Sequence, residues 1–207
     1  MRKLVLFDVD STLINEEVID LLALKAGKGQ QVAEITEAAM AGKLDFAQSL
    51  KARVALLKGL PETVIDEVKS EITLTNGALE TIQELKALGH IPAVVSGGFT
   101  VVIEDLLTRL GILEFRANNL GICDGQLTGE VEGLIIDRIT KANTLVEFAA
   151  LHQIPLADTI AVGDGANDIE MIQRAGLGIA FCAKPALVEV ADVSITTRDL
   201  REVLKFL

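Results

Sequence analysis

Aromatic side chains are scarce in this sequence. Tryptophan and tyrosine are absent, and phenylalanine alone brings the aromatic fraction to 3%, although 50% of the 207 residues are hydrophobic. The core must therefore be built mainly from Leu, Val, Ile and Ala, and a chain this apolar is expected to fold rather than stay disordered. Its length is that of one domain, with or without a small insertion.

Cysteine and histidine are also rare. The two cysteines, Cys123 and Cys182, are far apart in sequence, and neither belongs to a Cys-x-x-Cys pair. This excludes a disulfide framework, and the two histidines, His90 and His152, do not complete a zinc-ligand pattern. We expect both cysteines to be small buried apolar residues and both histidines to be structural or solvated.

Basic residues are outnumbered, because 19 Lys and Arg face 30 Asp and Glu, which gives a formal net charge of −11. Nucleic acid and anionic membranes both need basic surface, so neither is expected as a partner. The apolar run that ends at Phe7 is too short for a signal peptide, and no transmembrane stretch follows. We expect a cytoplasmic monomer or homodimer that acts on a small molecule.

Short apolar runs alternate with helical patterns along most of the chain. The helical patterns include Leu79, Ile82, Leu85 and Leu88, and the runs lie at residues 3–7, 91–95, 159–162, 177–182 and 193–195. This alternation predicts an α/β fold with a Rossmann-like, doubly wound and mainly parallel sheet. A hairpin is also predicted, with Asp124-Gly125 as its turn.

Residues 15–75 depart from the alternation, because they contain helical patterns and no strand-like run. A helical stretch inserted after the first strand predicts a cap over the carboxyl ends of the strands, where ligands bind in such sheets. We therefore expect a catalytic core formed by residues 1–14 and 76–207 and an inserted helical cap formed by residues 15–75.

Four carboxylates follow two of the predicted strands. Asp8 and Asp10 leave the first strand, and Asp164 and Asp168 follow the strand at 159–162. Parallel neighbouring strands would place these acids at one edge of the sheet, where a hard divalent cation relieves their repulsion. Oxygen-only ligation favours Mg²⁺ over zinc. For Asp8 and Asp10 alone, a turn with two solvated acids is the competing interpretation.

A phosphate-binding turn is indicated by Ser96-Gly97-Gly98, which lies between a strand and a helix expected to begin near Phe99. Glycines let backbone N–H groups approach an anion closely, and a helix N-terminus favours negative charge. A strand-to-helix turn without a ligand explains the same residues equally well. Lys141, at the start of another helix, would ordinarily be solvated.

Two charged residues in the predicted cap are candidates for binding the rest of a substrate. Arg53 lies on an apolar helix face, where a guanidinium must either reach solvent or meet an anion. Glu17 is in the first turn of its helix, where an acid commonly only stabilises the helix dipole. Together they could recognise a carboxylate and an ammonium, as in an amino-acid head group.

These residues together resemble the phosphoserine phosphatases of the haloacid dehalogenase superfamily over essentially the whole chain. The matching motifs are Asp8-Val9-Asp10-Ser11-Thr12, Val95-Ser96-Gly97-Gly98-Phe99, Lys141 and Gly163-Asp164-Gly165-Ala166-Asn167-Asp168. The segment 115–119 looks altered from the family's pattern and is assigned no functional weight. No regulatory domain of the kind that some relatives carry is expected.

The resemblance implies a role for each matching position. Asp8 would be the nucleophile and a Mg²⁺ ligand, and Asp10 the general acid and base, with its backbone carbonyl on the metal. Asp164 would be the other metal carboxylate, supported by Asp168. The substrate-binding residues would be Glu17, Arg53, Ser96, Gly97, Lys141 and Asn167. Met40 and Phe46 look like cap positions that close over the site, and plain core packing explains them equally well.

The activity implied by the resemblance is hydrolysis of O-phospho-L-serine to L-serine and phosphate through an aspartyl-phosphate, the last step of serine biosynthesis. A related small-metabolite phosphatase and a phosphoserine-dependent phosphotransferase remain alternatives, because Glu17 and Arg53 exclude neither. A non-catalytic phosphate sensor is disfavoured, because the nucleophile and the metal-binding acids are all present.

Overall fold

This computed structural model describes residues 1–40 and 43–207, without the side chain of Met40. Within these ranges the chain forms one seven-stranded sheet in the order β4-β3-β2-β1-β5-β6-β7. All neighbouring strands are parallel except β3 and β4, which form the antiparallel hairpin predicted around Asp124-Gly125. The strands are β1 Leu4–Phe7, β2 Ile91–Phe99, β3 Glu114–Cys123, β4 Gln126–Glu132, β5 Thr159–Gly163, β6 Leu177–Phe181 and β7 Val193–Ile195.

Helices flank this sheet and fill the segment between β1 and β2. None of those in the described ranges is both long enough and apolar enough to span a bilayer. Their bounds are α1 Val18–Lys25, α2 Gly29–Met40, α3 Phe46–Ala55, α4 Val64–Glu71, α5 Ala78–Ala87, α6 Thr100–Leu110, α7 Arg138–Leu151, α8 Ile169–Arg174 and α9 Pro185–Val188.

The two faces of β1 bury different cores. Val5 and Phe7 pack into one apolar cluster with residues of α5 and α6, whereas Leu4 and Leu6 pack into a second cluster with residues of α7 and α8. Side chains alternate across a strand, so a strand that is apolar at every position must be covered on both faces. The prediction of a doubly wound α/β fold is therefore confirmed.

The strand order reverses at β1, which has β2 on one side and β5 on the other. Phe7 pairs with Val94 of β2 and with Val162 of β5, and the N–H of Asp8 continues the ladder to the carbonyl of Val162 at 2.9 Å. Ligands of open α/β sheets bind where the order reverses, at the carboxyl ends of the strands. The register therefore delivers Asp8 to that crevice.

Helices α1–α4 occupy the stretch that the sequence predicts to be a cap. Two short segments connect them to β1 and to α5, and these segments pair through an antiparallel bridge between Ile14 and Leu74. Their buried residues, such as Leu22, Leu50 and Val68, belong to the same apolar cluster as Phe7. The division into a core and a cap at residues 15 and 75 stays a prediction.

Some local expectations are wrong. Cys123 is exposed where β3 enters its hairpin turn, and Cys182 is only partly buried, so neither cysteine is the core residue that was expected. The buried face of α5 contains Ala78, Ile82 and Leu85, and Leu79 and Leu88 instead point to solvent.

The two histidines fit their expected structural role. His90 Nδ1 accepts a hydrogen bond from the N–H of Lys3 at 3.0 Å, which ties the turn before β2 to the start of β1. His152 Nε2 lies 3.1 Å from a carboxylate oxygen of Glu114. Both histidines therefore bond the ends of secondary-structure elements to neighbouring strands.

Candidate active site

The segment after β1 carries the first two acids and is sharply bent. The Asp8 carboxylate caps it by accepting the N–H of Val9 at 2.7 Å. Asp10 is extended, with φ −62° and ψ 132°, and Ser11 is left-handed, with φ 57° and ψ 3°. Asp10 is partly buried, and its Oδ1 is enclosed without a hydrogen-bond partner among the described residues. Such an orphaned oxygen is costly unless a ligand or a proton satisfies it.

The Ser96-Gly97-Gly98 segment lies inside β2, which runs on to Phe99, and not in a turn after the strand. The pairing of β2 with β3 shifts register between Val95 and Phe99, so this strand end is irregular. Ser96 Oγ accepts the N–H of Gly98 at 2.8 Å. A Cβ on Gly98 would lie 3.0 Å from Ser96 Oγ and 3.3 Å from Asp10 Oδ2, so glycine lets the two strand ends approach closely.

Lys141 is completely buried beneath these loops, in the first turn of α7. Its ammonium lies 2.8 Å from Asp8 Oδ2 and 2.7 Å from Asp168 Oδ1, so the alternative of a solvated lysine is wrong. Burial alone would lower the pKa of Lys141, but Asp168 and Asp8 outweigh it and raise that pKa above its ordinary value. The site therefore contains a fixed positive charge.

Both carboxylate oxygens of Asp168 accept hydrogen bonds from other groups of the protein. One carboxylate oxygen accepts from Lys141, and the other lies 3.2 Å from the N–H groups of both Asp164 and Gly165, which orders the loop after β5. A side chain at Gly163 would collide with the Asp168 carboxylate. Asp168 thus holds Lys141 and the loop in place, and this leaves Asp164 free to face the cavity.

The carboxylates of Asp8, Asp164 and Asp168 lie close enough together to hold a metal ion, with oxygen atoms within 4.8 Å of one another. Burial, followed by the charge of Asp168, raises the pKa of Asp8 well above its ordinary value and that of Asp164 to about 6. A hard cation removes this repulsion, and the oxygen-only donor set fits Mg²⁺. Asp8 and Asp164 line the cavity and Asp168 does not, so Asp8 and Asp164 are the carboxylates of this cluster that face an incoming ion.

A cavity of about 740 Å³ opens above these groups and extends to α1 and α3. Ser96, Lys141 and Asp168 do not line it, because they lie buried around its floor. The predicted site residues that do line it are Asp8, Asp10, Glu17, Arg53, Gly97, Asp164 and Asn167.

Glu17 and Arg53 lie at the helical side of this cavity. Glu17 immediately precedes α1 and accepts a hydrogen bond from Ser11 Oγ at 2.7 Å. Arg53 Nε donates to the carbonyl of Ser49 at 3.3 Å. Burial lowers the pKa of Arg53, and the carboxylates of Asp20, Glu17 and Asp10 oppose that effect. A guanidinium nevertheless stays charged in proteins, so this side of the cavity carries one carboxylate side chain and one positive charge.

Phe46, which the sequence offers as a closing residue or as a core residue, both lines the cavity and packs against the apolar core. The ring of Phe46 would be 3.3 Å from a side-chain carbon placed on Gly97, so α3 meets the irregular end of β2 directly. Met40, its expected companion, lies outside the residues whose side chains are described.

Sequence reasoning missed several residues of the site, and three of them contact its predicted members. Lys184 lines the cavity 3.7 Å from Asp164 Oδ2, and the strand-end rule applied to β6 would have found it. Asn118, in the segment given no functional weight, is fully buried and donates to the carbonyl of Gly97 at 2.9 Å. Ser11 lies inside the first motif, but nothing in the sequence signals its contact with Glu17.

Comparison with known proteins gives a consistent result. The profile of haloacid dehalogenase-like hydrolases matches residues 5–173. The phosphoserine phosphatase of Methanocaldococcus jannaschii is 52% identical over 206 residues, which cover all of this chain and 98% of that protein. Phosphoserine phosphatase SerB2 of Mycobacterium tuberculosis is 56% identical over 204 residues, and this chain spans about half of its length, 50%.

Solved structures agree with these relatives. A phosphoserine phosphatase structure described as a phospho-aspartyl intermediate analogue superposes with a TM-score of 0.94 at 51% identity, covering 100% of this chain and 99% of that one. A substrate-bound phosphoserine phosphatase complex gives 0.95 at the same 51% identity and the same coverage. With its sheet, its acidic strand ends and these relatives, the chain belongs to the haloacid dehalogenase-like hydrolases and, within them, to the phosphoserine phosphatase family.

Proposed function

We propose that this chain hydrolyses O-phospho-L-serine to L-serine and phosphate through an aspartyl-phosphate at Asp8, with Mg²⁺ as its cofactor. One observation supports this most strongly. A single cavity has the buried Asp8, paired with Lys141, where the strands terminate, and Glu17 and Arg53 on the side formed by the inserted helices. Such a cavity suits a phosphate joined to a small zwitterion.

The phosphate end supplies a nucleophile and positive charge. Lys141, held between Asp8 and Asp168, offsets the repulsion between a carboxylate and a phosphate dianion. An oxygen of Asp8 attacks phosphorus, and the bond between phosphorus and the serine oxygen breaks as the new bond to Asp8 forms. Gly97 and Asn167, which line the cavity, bind the phosphate oxygens, and Ser96 lies buried beneath the floor, where its hydroxyl holds the Gly98 N–H.

Asp10 moves the protons of both steps. Burial, followed by the charges of Glu17 and Asp8, raises its pKa well above the ordinary value, which favours the protonated form that a general acid needs. Asp10 gives this proton to the leaving serine oxygen. It then takes a proton from the water that attacks phosphorus and releases Asp8, so the enzyme returns to its starting state.

The cation would be held by the carboxylates of Asp8 and Asp164 and by the main-chain carbonyl of Asp10. Bound there, Mg²⁺ supplies charge that stabilises the transferring phosphoryl group. Asp168 keeps both Lys141 and the Asp164 loop in position through its three contacts.

The other end of the cavity selects the amino acid. Glu17 accepts a hydrogen bond from the substrate ammonium, and Arg53 binds the substrate carboxylate. This contact would give the partly buried guanidinium a directly bonded negative charge, which offsets the cost of its burial. Residues 15–75 act as a cap on the core formed by residues 1–14 and 76–207. Closure of Phe46 over the substrate would exclude bulk water during the first step.

The direct test is phosphate release from O-phospho-L-serine by the purified protein, with Mg²⁺ and then with EDTA. We expect turnover that EDTA abolishes and that added Mg²⁺ restores. Product analysis in the presence of a simple alcohol separates hydrolysis from phosphoryl transfer, because a transferase would form the alcohol's phosphate ester. Absence of phosphoserine turnover with Mg²⁺ present would refute the proposal.

A further inference from the structure

We propose that Ser11 is a positioning residue for substrate specificity, because its hydroxyl fixes the carboxylate of Glu17 in the orientation that receives the substrate ammonium. The inference rests on the proposed function, in which Glu17 binds that group. It assigns Ser11 no contact with the substrate and no part in the chemistry at Asp8.

The backbone at Ser11 is the first observation. Ser11 has φ 57° and ψ 3°, in the left-handed region that residues other than glycine seldom adopt. Glycine would satisfy this turn without strain. A serine that keeps an unfavourable conformation at the edge of an active site indicates that its side chain has a use there.

The side chain of Ser11 supplies that use. Its Oγ donates to Glu17 Oε1 at 2.7 Å, a short bond to a charged acceptor. Glu17 occupies the N-cap position of α1 but makes no capping hydrogen bond with its side chain. Within the described part of the chain, Ser11 is thus the residue that fixes this carboxylate, and Glu17 lines the cavity.

The Ser11 turn is itself held from two sides. Its N–H donates to the carbonyl of Glu16 at 3.3 Å, and Arg198, which follows β7, donates from Nη1 to its carbonyl at 3.3 Å. Arg198 Nε also donates to Asn15 Oδ1 at 2.9 Å. The hydroxyl of Ser11 therefore points from a fixed backbone, which is what positioning of a flexible glutamate requires.

Orientation matters for Glu17 because its site is only partly buried. A glutamate has three rotatable bonds, and an exposed one samples several rotamers, so the ammonium would have to order it on binding. A hydrogen bond made before the substrate arrives removes that cost. The benefit is confined to substrates that have an amino group, and this separates the proposal from a general structural role.

Two substrates and two variants test the proposal. O-phospho-L-serine is compared with 3-phosphonooxypropanoate, which is the same molecule without its amino group, and kcat/KM is measured for both. In Ser11→Gly the turn is relaxed, and in Ser11→Ala the strain is kept, but both variants lack the hydroxyl. We expect both to lose about tenfold of the preference for the amino substrate, mainly through KM, since a hydrogen bond to a charged group is lost.

A double-mutant cycle with Glu17→Ala gives the decisive control. If Ser11 acts through Glu17, Ser11→Gly has no further effect on the preference once Glu17 is absent. An equal loss in the presence and absence of Glu17, or an unchanged preference in both Ser11 variants, overturns the inference. Failure of the proposed function looks different, because the wild-type protein would then show no preference between the two substrates.

Discussion

The two ends of the cavity are built in different ways. The phosphate end lies where strands terminate, and its charged groups are buried and bonded to one another, as in Asp8–Lys141–Asp168. The other end is formed by Glu17 and Arg53 at helices inserted between β1 and β2, with one described hydrogen bond to each side chain. The chemistry therefore depends on a floor of buried, mutually bonded charges, and the substrate choice on a rim of partly buried side chains.

The comparison predicts its largest effect at Asp8. Asp8→Asn keeps the shape but removes the nucleophile, so we expect activity on every phosphomonoester to fall by at least about 10³-fold. The fold should persist, because Lys141 retains Asp168 as a charge partner. Phosphate release and thermal denaturation measure the two quantities, and near wild-type turnover in this variant would contradict the assignment.

Lys141 should matter for stability as well as for activity. Lys141→Met leaves Asp8 and Asp168 buried without their cation, and breaking a buried pair in this way costs about 3–5 kcal/mol. Lys184→Met is the matched control, because Lys184 also faces a site carboxylate but its side chain is 53% exposed. We expect the control to change the free energy of unfolding by less than about 1 kcal/mol. Similar losses in urea unfolding for both variants would show that burial is not what distinguishes them.

Substitution of Arg53 is expected to affect substrates with and without a carboxylate differently. Arg53→Ala should raise KM for phosphoserine about 10–100-fold, because a charge-assisted contact to the substrate carboxylate is lost. An aryl phosphate has no such carboxylate, and its KM should change far less. Equal changes for both substrates would mean that Arg53 supports the site as a whole, and the contrast between floor and rim would then fail.

The smallest predicted effect is a pH dependence at Asp164. The pKa of this carboxyl is raised from 3.8 to about 6. In the metal-free protein its contribution to stability is therefore present below its ordinary pKa and is lost as the pH rises through about 6. Mg²⁺ must displace that proton at low pH, so the rise in Tm caused by Mg²⁺ should grow between about pH 5 and pH 7.

Asp164→Asn is the control for this dependence, because it removes the titrating group. Its Tm should respond less to Mg²⁺, and the response should not grow through pH 6. If the wild-type protein and this variant gave the same pH profile, Asp164 would not be the group that links the proton to the metal.

The acids of the floor could be predicted from the sequence because strand ends obey a simple rule. An apolar run followed by acids places those acids at one edge of a parallel sheet, and Asp8, Asp10 and Asp164 all follow from it. The burial of Lys141 could not be predicted in this way. A lysine in the first turn of a helix is ordinarily solvated, and the acids that enclose it are distant in sequence.

Other features depend on packing that no local pattern encodes. Whether Leu79 or Ala78 faces the sheet depends on how α5 rotates against it, and both choices satisfy helical spacing. The left-handed turn at Ser11 is the clearest case, because its sequence neighbours favour no positive φ. The hydrogen bonds of Ser11 with Glu17 and Arg198, which are distant from the turn in sequence or outside the motif, stabilise this conformation.

The central claim is that the Asp8 carboxylate is the nucleophile that attacks phosphorus, and covalent trapping tests it most directly. The protein is mixed with ³²P-labelled O-phospho-L-serine and Mg²⁺, quenched in acid during turnover, reduced with borohydride and sequenced. An aspartyl-phosphate is reduced to homoserine, so homoserine at position 8 is the predicted result. Homoserine at another position, or sustained turnover with an unmodified Asp8, would contradict the account.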